Sequence, residues 1–233
     1  MTWDISATLN LIQARYGRLQ REAANHCFQS VHQRLRYGRF HYTALKKDFD
    51  AFKEAKIGDR MVIDLAWSAD DGERGEYLEF MDRVGAHAVA CVQSIHAVAD
   101  LLATSVYVSL NLNAYGKPVD EHAITFQLTL DRLALNSHHA TAANLLNKLR
   151  THPSFQHVDA LSNKAKHSGM IRPTMNEDWT GTRAERIQIH FEGFMRKSTR
   201  YPSVAIIDVL GPAYEQVSKV TVDLGNELTQ LLT

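Results

Sequence analysis

With 233 residues, 45% of them hydrophobic, the chain is long enough to bury a sizeable core, and nothing in its length forces a second domain; one domain over residues 1–233 is the expectation. Its 26 basic and 26 acidic residues cancel, which excludes a whole-molecule field that would draw it to nucleic acid or an anionic membrane, so any such contact must come from a local patch. Two cysteines, Cys27 and Cys91, are too few for a disulfide framework and form no CxxC pair, which points to a reducing, cytoplasmic setting.

The first residues hold Asp4 among polar neighbours and have no basic flank leading into an apolar run, so no secretory signal is expected. No membrane contact is expected either, since His96 and Asp100 interrupt the richest apolar region before the roughly 18 residues that a span requires. From Ile5 to Arg36, Leu9, Ile12, Tyr16, Leu19, Ala23, Phe28, Val31 and Leu35 recur at helical spacing and predict one long amphipathic helix. A break is expected at Tyr37-Gly38, then a second helix over 42–56 carrying Leu45, Phe49 and Phe52 and ending at Ile57-Gly58-Asp59. The acidic run Ser68 to Gly75 reads as a solvated loop.

Glu76 to about Leu110 is apolar nearly all round and predicts a helix through the core. Asn111 to Asp120, with Gly116 and Pro118, is a connector into an irregular stretch ending near Leu135. Two further helices are expected, near His139 to Arg150 and from Pro153 to Ser168, the second opened by a proline suited to the first turn and stopped by Gly169 and Pro173. Alternation of Ile187, Ile189 and Phe191 with polar residues has strand period, and with a strand near Tyr201 it predicts a small hairpin. Val204 to Leu232 is helical again, with a kink or restart at Gly211-Pro212. The fold class is therefore mainly α, a helical bundle with a small β-hairpin.

Dinucleotide, phosphate-loop, zinc-protease and serine-hydrolase motifs are all absent. His87 and Cys91 stand four apart on one helix but lack a clear third ligand, so neither a metal site nor a cofactor is expected. Gln93, His96, Asp100 and Thr104 fall on one stripe of the central helix. His96 with Asp100 there could serve acid–base work or ligand binding, or could be a polar seam that satisfies itself. Met195 to Tyr201 interleaves Arg196, Lys197 and Arg200 with aromatics, a pattern that holds phosphates and stacks bases but that also suits an exposed hairpin tip.

Leu161 to Gly169 is the most informative segment. Phe155, Val158, Leu161 and Ala165 form its apolar stripe, while Asn163 and His167, four apart, share a face turned away from it. A cap explains the cations Lys164 and Lys166 and the histidine in the last turn, but leaves Asn163 without a role.

Here the chain resembles the HEPN superfamily, helical bundles that include toxin and defence ribonucleases and many non-catalytic members. Its active motif is an arginine, a polar residue that is often asparagine, a few residues, then histidine. Asn163 and His167 match, but Ser162 stands where the arginine belongs. A second formal match, Arg150 with His157, is interrupted by Pro153. A nearer resemblance is to uncharacterised HEPN-like proteins with an Asn-x-x-Lys-His motif, seen as Asn163 to His167, and it extends to the helix around His96 and Asp100 and to the last helix.

The resemblance implies a homodimer whose protomers bring arginine and histidine together to cleave RNA without metal through the 2′-hydroxyl. Neutral Ser162 cannot stabilise phosphoryl charge as arginine would, and Lys164 or Lys166 could substitute only as a point charge. The expectation is a HEPN-like nucleic-acid-associated or regulatory module binding RNA or a nucleotide. Asn163 and His167 are its central residues, with Lys164, Lys166, His96 and Asp100 as ligand contacts. The rivals are a metal-independent endoribonuclease centred on His167 and a purely structural or partner-binding protein; whether the chain is an enzyme stays open.

Overall fold

The computed structural model describes residues 2–167, 169 and 172–233, and helix accounts for 73% of the described residues. In chain order the α-helices are α1 (Ile5–Tyr16), α2 (Arg18–Phe52), α3 (Val62–Ala66), α4 (Asp71–Ser109), α5 (Phe126–Leu133), α6 (Ala140–Thr151), α7 (Pro153–His167) and α8 (Ile206–Leu232). The strands are β1 (Pro173–Glu177), β2 (Ile187–Phe191), β3 (Phe194–Arg196), β4 (Thr199–Tyr201) and β5 (Val204–Ala205). The chain is thus mainly α with small antiparallel sheets. It sorts into two compact units, one of residues 1–36, 94–156 and 213–233, the other of residues 37–93 and 157–212; α2, α4, α7 and α8 each pass from one to the other.

In the first unit, Asp4 caps α1 by accepting from the Ala7 amide at 3.0 Å, as a short carboxylate does for orphan N–H groups. The Trp3 indole donates to Thr8 at 2.8 Å, meets Phe28 edge-on, and lies so close to Gly225 that any side chain there would overlap it. Thr129 of α5 donates to the Ala103 carbonyl at 3.3 Å, which seats that short helix on α4.

In the second unit, α2 and α4 run antiparallel, because ascending positions on one meet descending positions on the other. The Cys91 thiol donates to the Gly38 carbonyl at 3.4 Å, His41 meets His87, Asp48 meets Arg83 at 3.8 Å, and Phe52 stacks on Phe80 at 3.9 Å. A π-helical turn over Lys53–Ile57 ends α2. Glu177, at the end of β1, accepts from the Val62 amide at 2.9 Å and pairs with Arg186, which donates in turn to the Gly58 and Arg60 carbonyls. One carboxylate thereby caps α3 and ties its approach to the sheet. The sheet order is β1-β2-β5, and β3 and β4 form a separate hairpin in which Phe194 pairs with Tyr201.

Several expectations are corrected. The first helical break falls at Gly17, whose φ of 90° suits glycine, and not at Tyr37-Gly38, where Gly38 is buried against Cys91 and α2 runs on. The acidic run is only half loop, since Asp70 accepts from the Gly72 and Glu73 amides and starts α4 inside it. The stretch before Leu135 contains α5. Pro173 opens a strand instead of only stopping a helix, and Ile187–Phe191 pairs with β1 and β5 while Tyr201 belongs to a different hairpin. Helix α8 does not restart at Gly211-Pro212 but continues through Pro212. The end of the helix expected to reach Ser168 falls outside the described residues.

Helix α4 also has the length and composition to cross a membrane, with mean hydropathy 1.5 over 18 residues despite His96 and Asp100. More than half of that window is buried inside the fold, as for the core helix of a bundle.

Phe80 is fully buried, and its ring lies nearly parallel to Phe52 at an interplanar angle of 9°. Phe80→Ala therefore leaves a cavity and is expected to cost about 3–5 kcal/mol of stability in denaturant unfolding. A loss below about 1 kcal/mol would show that the α2–α4 contact does not hold this unit together.

Candidate functional site

Helix α7 begins at Pro153, where the missing N–H is harmless, and buries Phe155, Val158 and Leu161 along one stripe. Ser162 lies on the inner side, 0% exposed, with no hydrogen-bond partner for its Oγ among the described residues. The position that would carry the HEPN arginine therefore faces the interior, where a guanidinium would be desolvated.

Asn163 is half-buried, and its amide nitrogen donates to the Asp159 carbonyl at 2.8 Å and to the Asp159 Oδ1 at 3.0 Å. The other oxygen of the same carboxylate, Oδ2, accepts from Arg196 at 2.5 Å. Asp159 thus joins the asparagine of α7 to an arginine of the β3–β4 hairpin, four residues upstream on one side and 37 on the other. Lys164 sits over the Phe194 ring at 5.1 Å, and Phe194 stacks on Tyr201 at 4.9 Å. His157 packs edge-on to both rings.

The pleat of the hairpin divides its cations. Phe194 and Arg196 point toward α7, whereas Met195 and its register partner Arg200 take the opposite, exposed side. Lys197 occupies the turn in the left-handed region at φ 53°. The rings of Phe194 and Tyr201 are engaged with each other, with His157 and with Lys164, which argues against their serving as platforms for bases. What the cluster offers a ligand is positive charge, a chemistry suited to phosphate.

Lys166 and His167 are exposed in the last turn of α7, where cations complement the helix dipole. His96 and Asp100 belong to the other unit. There His96 is half-buried and lies parallel to Phe155 at 6.4 Å, Asp100 is exposed, and Thr104 donates to the Asp100 carbonyl at 3.0 Å. Asp159, Arg196 and His157 are the residues that local reading left out of the α7 site. Asp159 had a signal in its four-residue spacing from Asn163; the Arg196 contact had none. Among the described residues, no group of three or more His, Cys, Asp or Glu side chains converges as a metal cage.

Burial lowers the pKa of His157, and the same cause leads for His32, His41, His139 and His190. A histidine whose folded pKa lies below its unfolded value of about 6.5 supports full stability above that pH, and the support is lost as pH falls toward the folded pKa. The denaturant midpoint is therefore expected to fall between about pH 7.5 and 5.5, and His157→Phe, which keeps the aromatic contact without the ionisation, should make the decline shallower. A midpoint that rises on acidification would contradict this reading of the buried imidazoles.

The chain matches no protein-family model, no curated protein and no solved structure, so the functional reading rests on the residues themselves.

Proposed function

We propose that the protein is a HEPN-like, nucleic-acid-associated or regulatory module that binds the phosphates of RNA or of a nucleotide through the α7 face, and that it acts as a homodimer. The observation that carries the reading is the gathering of Asn163 and Arg196 on the two oxygens of Asp159, beside Lys164 held over Phe194. Arg196, arriving from the hairpin, takes the place of the motif arginine that Ser162 does not supply. Asp159 neutralises much of its charge, so Lys164 and Lys166 are the main cations for phosphate, with His167 beside them at the helix end.

This arrangement favours binding over cleavage. Asn163 is committed to Asp159, and its amide is already spent on a local bond, a role that a purely structural cluster would also give it. The structural reading and the ribonuclease reading are therefore the two rivals that the test must separate.

Binding of a single-stranded RNA and of a nucleotide should be measured for the parent and for Lys164→Ala, Lys166→Ala, His167→Ala, Asn163→Ala and Arg200→Ala. Parent affinity should weaken with salt, and removal of one phosphate-contacting lysine should lower the slope of log K against log salt by about 0.7. Arg200→Ala, on the far side of the hairpin, should bind like the parent. His167→Ala should cost little stability, about 1 kcal/mol at most. A parent that binds neither ligand, together with destabilised Asn163→Ala and His167→Ala variants, would make the cluster a structural cap. Metal-independent cleavage that disappears in His167→Ala would make the protein an endoribonuclease.

A further inference from the structure

The antiparallel contact of α2 and α4 contains a histidine pair that the proposed function does not use. We propose that His41 and His87 form a two-histidine site for a divalent transition-metal ion of the zinc class, bridging the two helices. The Nδ1 atoms of the two rings face each other at 3.0 Å, with ring centroids 5.3 Å apart and planes inclined by 45°. The rings come from different helices, so the meeting is not an accident of local chain geometry. His87 finds no second ligand within α4, and it is His41 of α2 that faces it.

Each neutral imidazole has one N–H and one lone pair, and its proton can sit on either nitrogen. In the metal-free pair one Nδ1–H donates to the other Nδ1. When that proton moves to Nε2 of its own ring, both Nδ1 lone pairs face the gap and no proton need leave the protein. Zn–N bonds of about 2.0–2.1 Å at a tetrahedral angle require the nitrogens about 3.3 Å apart, which a small rotation of either ring provides.

The neighbouring rungs define what the site takes. The buried Cys91 thiol is engaged with the Gly38 carbonyl, one helical turn from His87, so water or an outside ligand fills the remaining positions. Asp48 faces Arg83, and among the described residues no Asp or Glu joins the two histidines in a group of three that would favour a hard cation. Both histidines are half-buried, and the Phe40 ring lies 5.2 Å from His41 and 6.4 Å from His87, covering the pair with apolar surface while leaving it reachable. Imidazole nitrogens select zinc or nickel over magnesium or calcium.

Zinc chloride should be titrated calorimetrically, in a non-chelating buffer, into the parent, His41→Gln, His87→Gln, the double variant and Cys91→Ala. Glutamine can retain a hydrogen bond across the gap, so it keeps the helix contact while removing a ligand, and circular dichroism verifies the fold. The parent should take up one equivalent of zinc that magnesium does not displace. Each single variant should bind that equivalent more than about tenfold more weakly, a loss at least as large as that caused by removing an outer-shell partner. Cys91→Ala should retain it. Zinc should also raise the melting temperature of the parent, and EDTA should reverse the rise. A parent that binds no zinc, or a folded double variant that keeps the same equivalent at the same affinity, would overturn the proposal. If the glutamine variants do not fold, a parent whose histidine signals at positions 41 and 87 do not move on adding zinc would overturn it equally.

Discussion

The second unit depends on the need to cover α4. Within this unit that helix buries Phe80, Val84, Ala88, Cys91 and Val92 as one stripe while Asp71, Arg74, Glu76, Glu79, Asp82 and Arg83 stay exposed, and leaving the stripe in water would forfeit the main driving force for folding. Along residues 37–93 the cover is α2, laid antiparallel so that Phe52 stacks on Phe80 and Gly38 approaches Cys91. Phe52, which makes the stack, is the last residue of α2, and the π-helical turn and Gly58 at φ 53° follow it before α3. From there a single carboxylate, Glu177, fixes the strand end against the α3 N-terminus, because Arg186 and the Val62 amide both need it. The packing requirement of one helix thus extends through ordinary capping and ion-pair chemistry to the sheet.

A second carboxylate plays a comparable part around α7. Asp159 and Arg196 are each about one-third exposed, so their attraction is screened, and it contributes geometry more than stability. Its effect is to bring a long-range cation next to a helix-borne amide. The aromatic rings behind it, Phe194 and Tyr201, stack on each other and support Lys164, which leaves the face charged but not open for stacking. That is the physical basis for reading the site as phosphate-directed.

Helices with an uninterrupted 3.6-residue period were legible in the sequence: α6 begins and ends within a residue of its expected limits, and α7 begins at Pro153 as expected. Two Tyr-Gly pairs show where such reading stops. Tyr16-Gly17 breaks the helix and Tyr37-Gly38 does not, because Gly38 is buried against another helix, a fact with no local trace. Strand β1, PTMNE, has neither alternation nor β-branched enrichment, and it is a strand because β2 pairs with it. At the site, the exposure of His167 follows from helical phase, whereas Asn163, expected to face outward with it, is half-buried against Asp159. Arg196 reaches Asp159 only through the fold, and the division of Arg196 from Arg200 depends on a hairpin register that local pattern did not specify.

The central claim is that Asp159 makes α7 and the hairpin one site, and a double-mutant cycle tests it most directly. Unfolding free energies would be compared for the parent, Asp159→Ala, Arg196→Ala and the double variant, each at low and at high salt. The account predicts a coupling of about 0.5–1 kcal/mol that shrinks as salt rises, as expected for a partly exposed ion pair. Single effects that simply add, at both salt concentrations, would mean that the carboxylate and the guanidinium do not meet in solution and that the site assembled here does not exist.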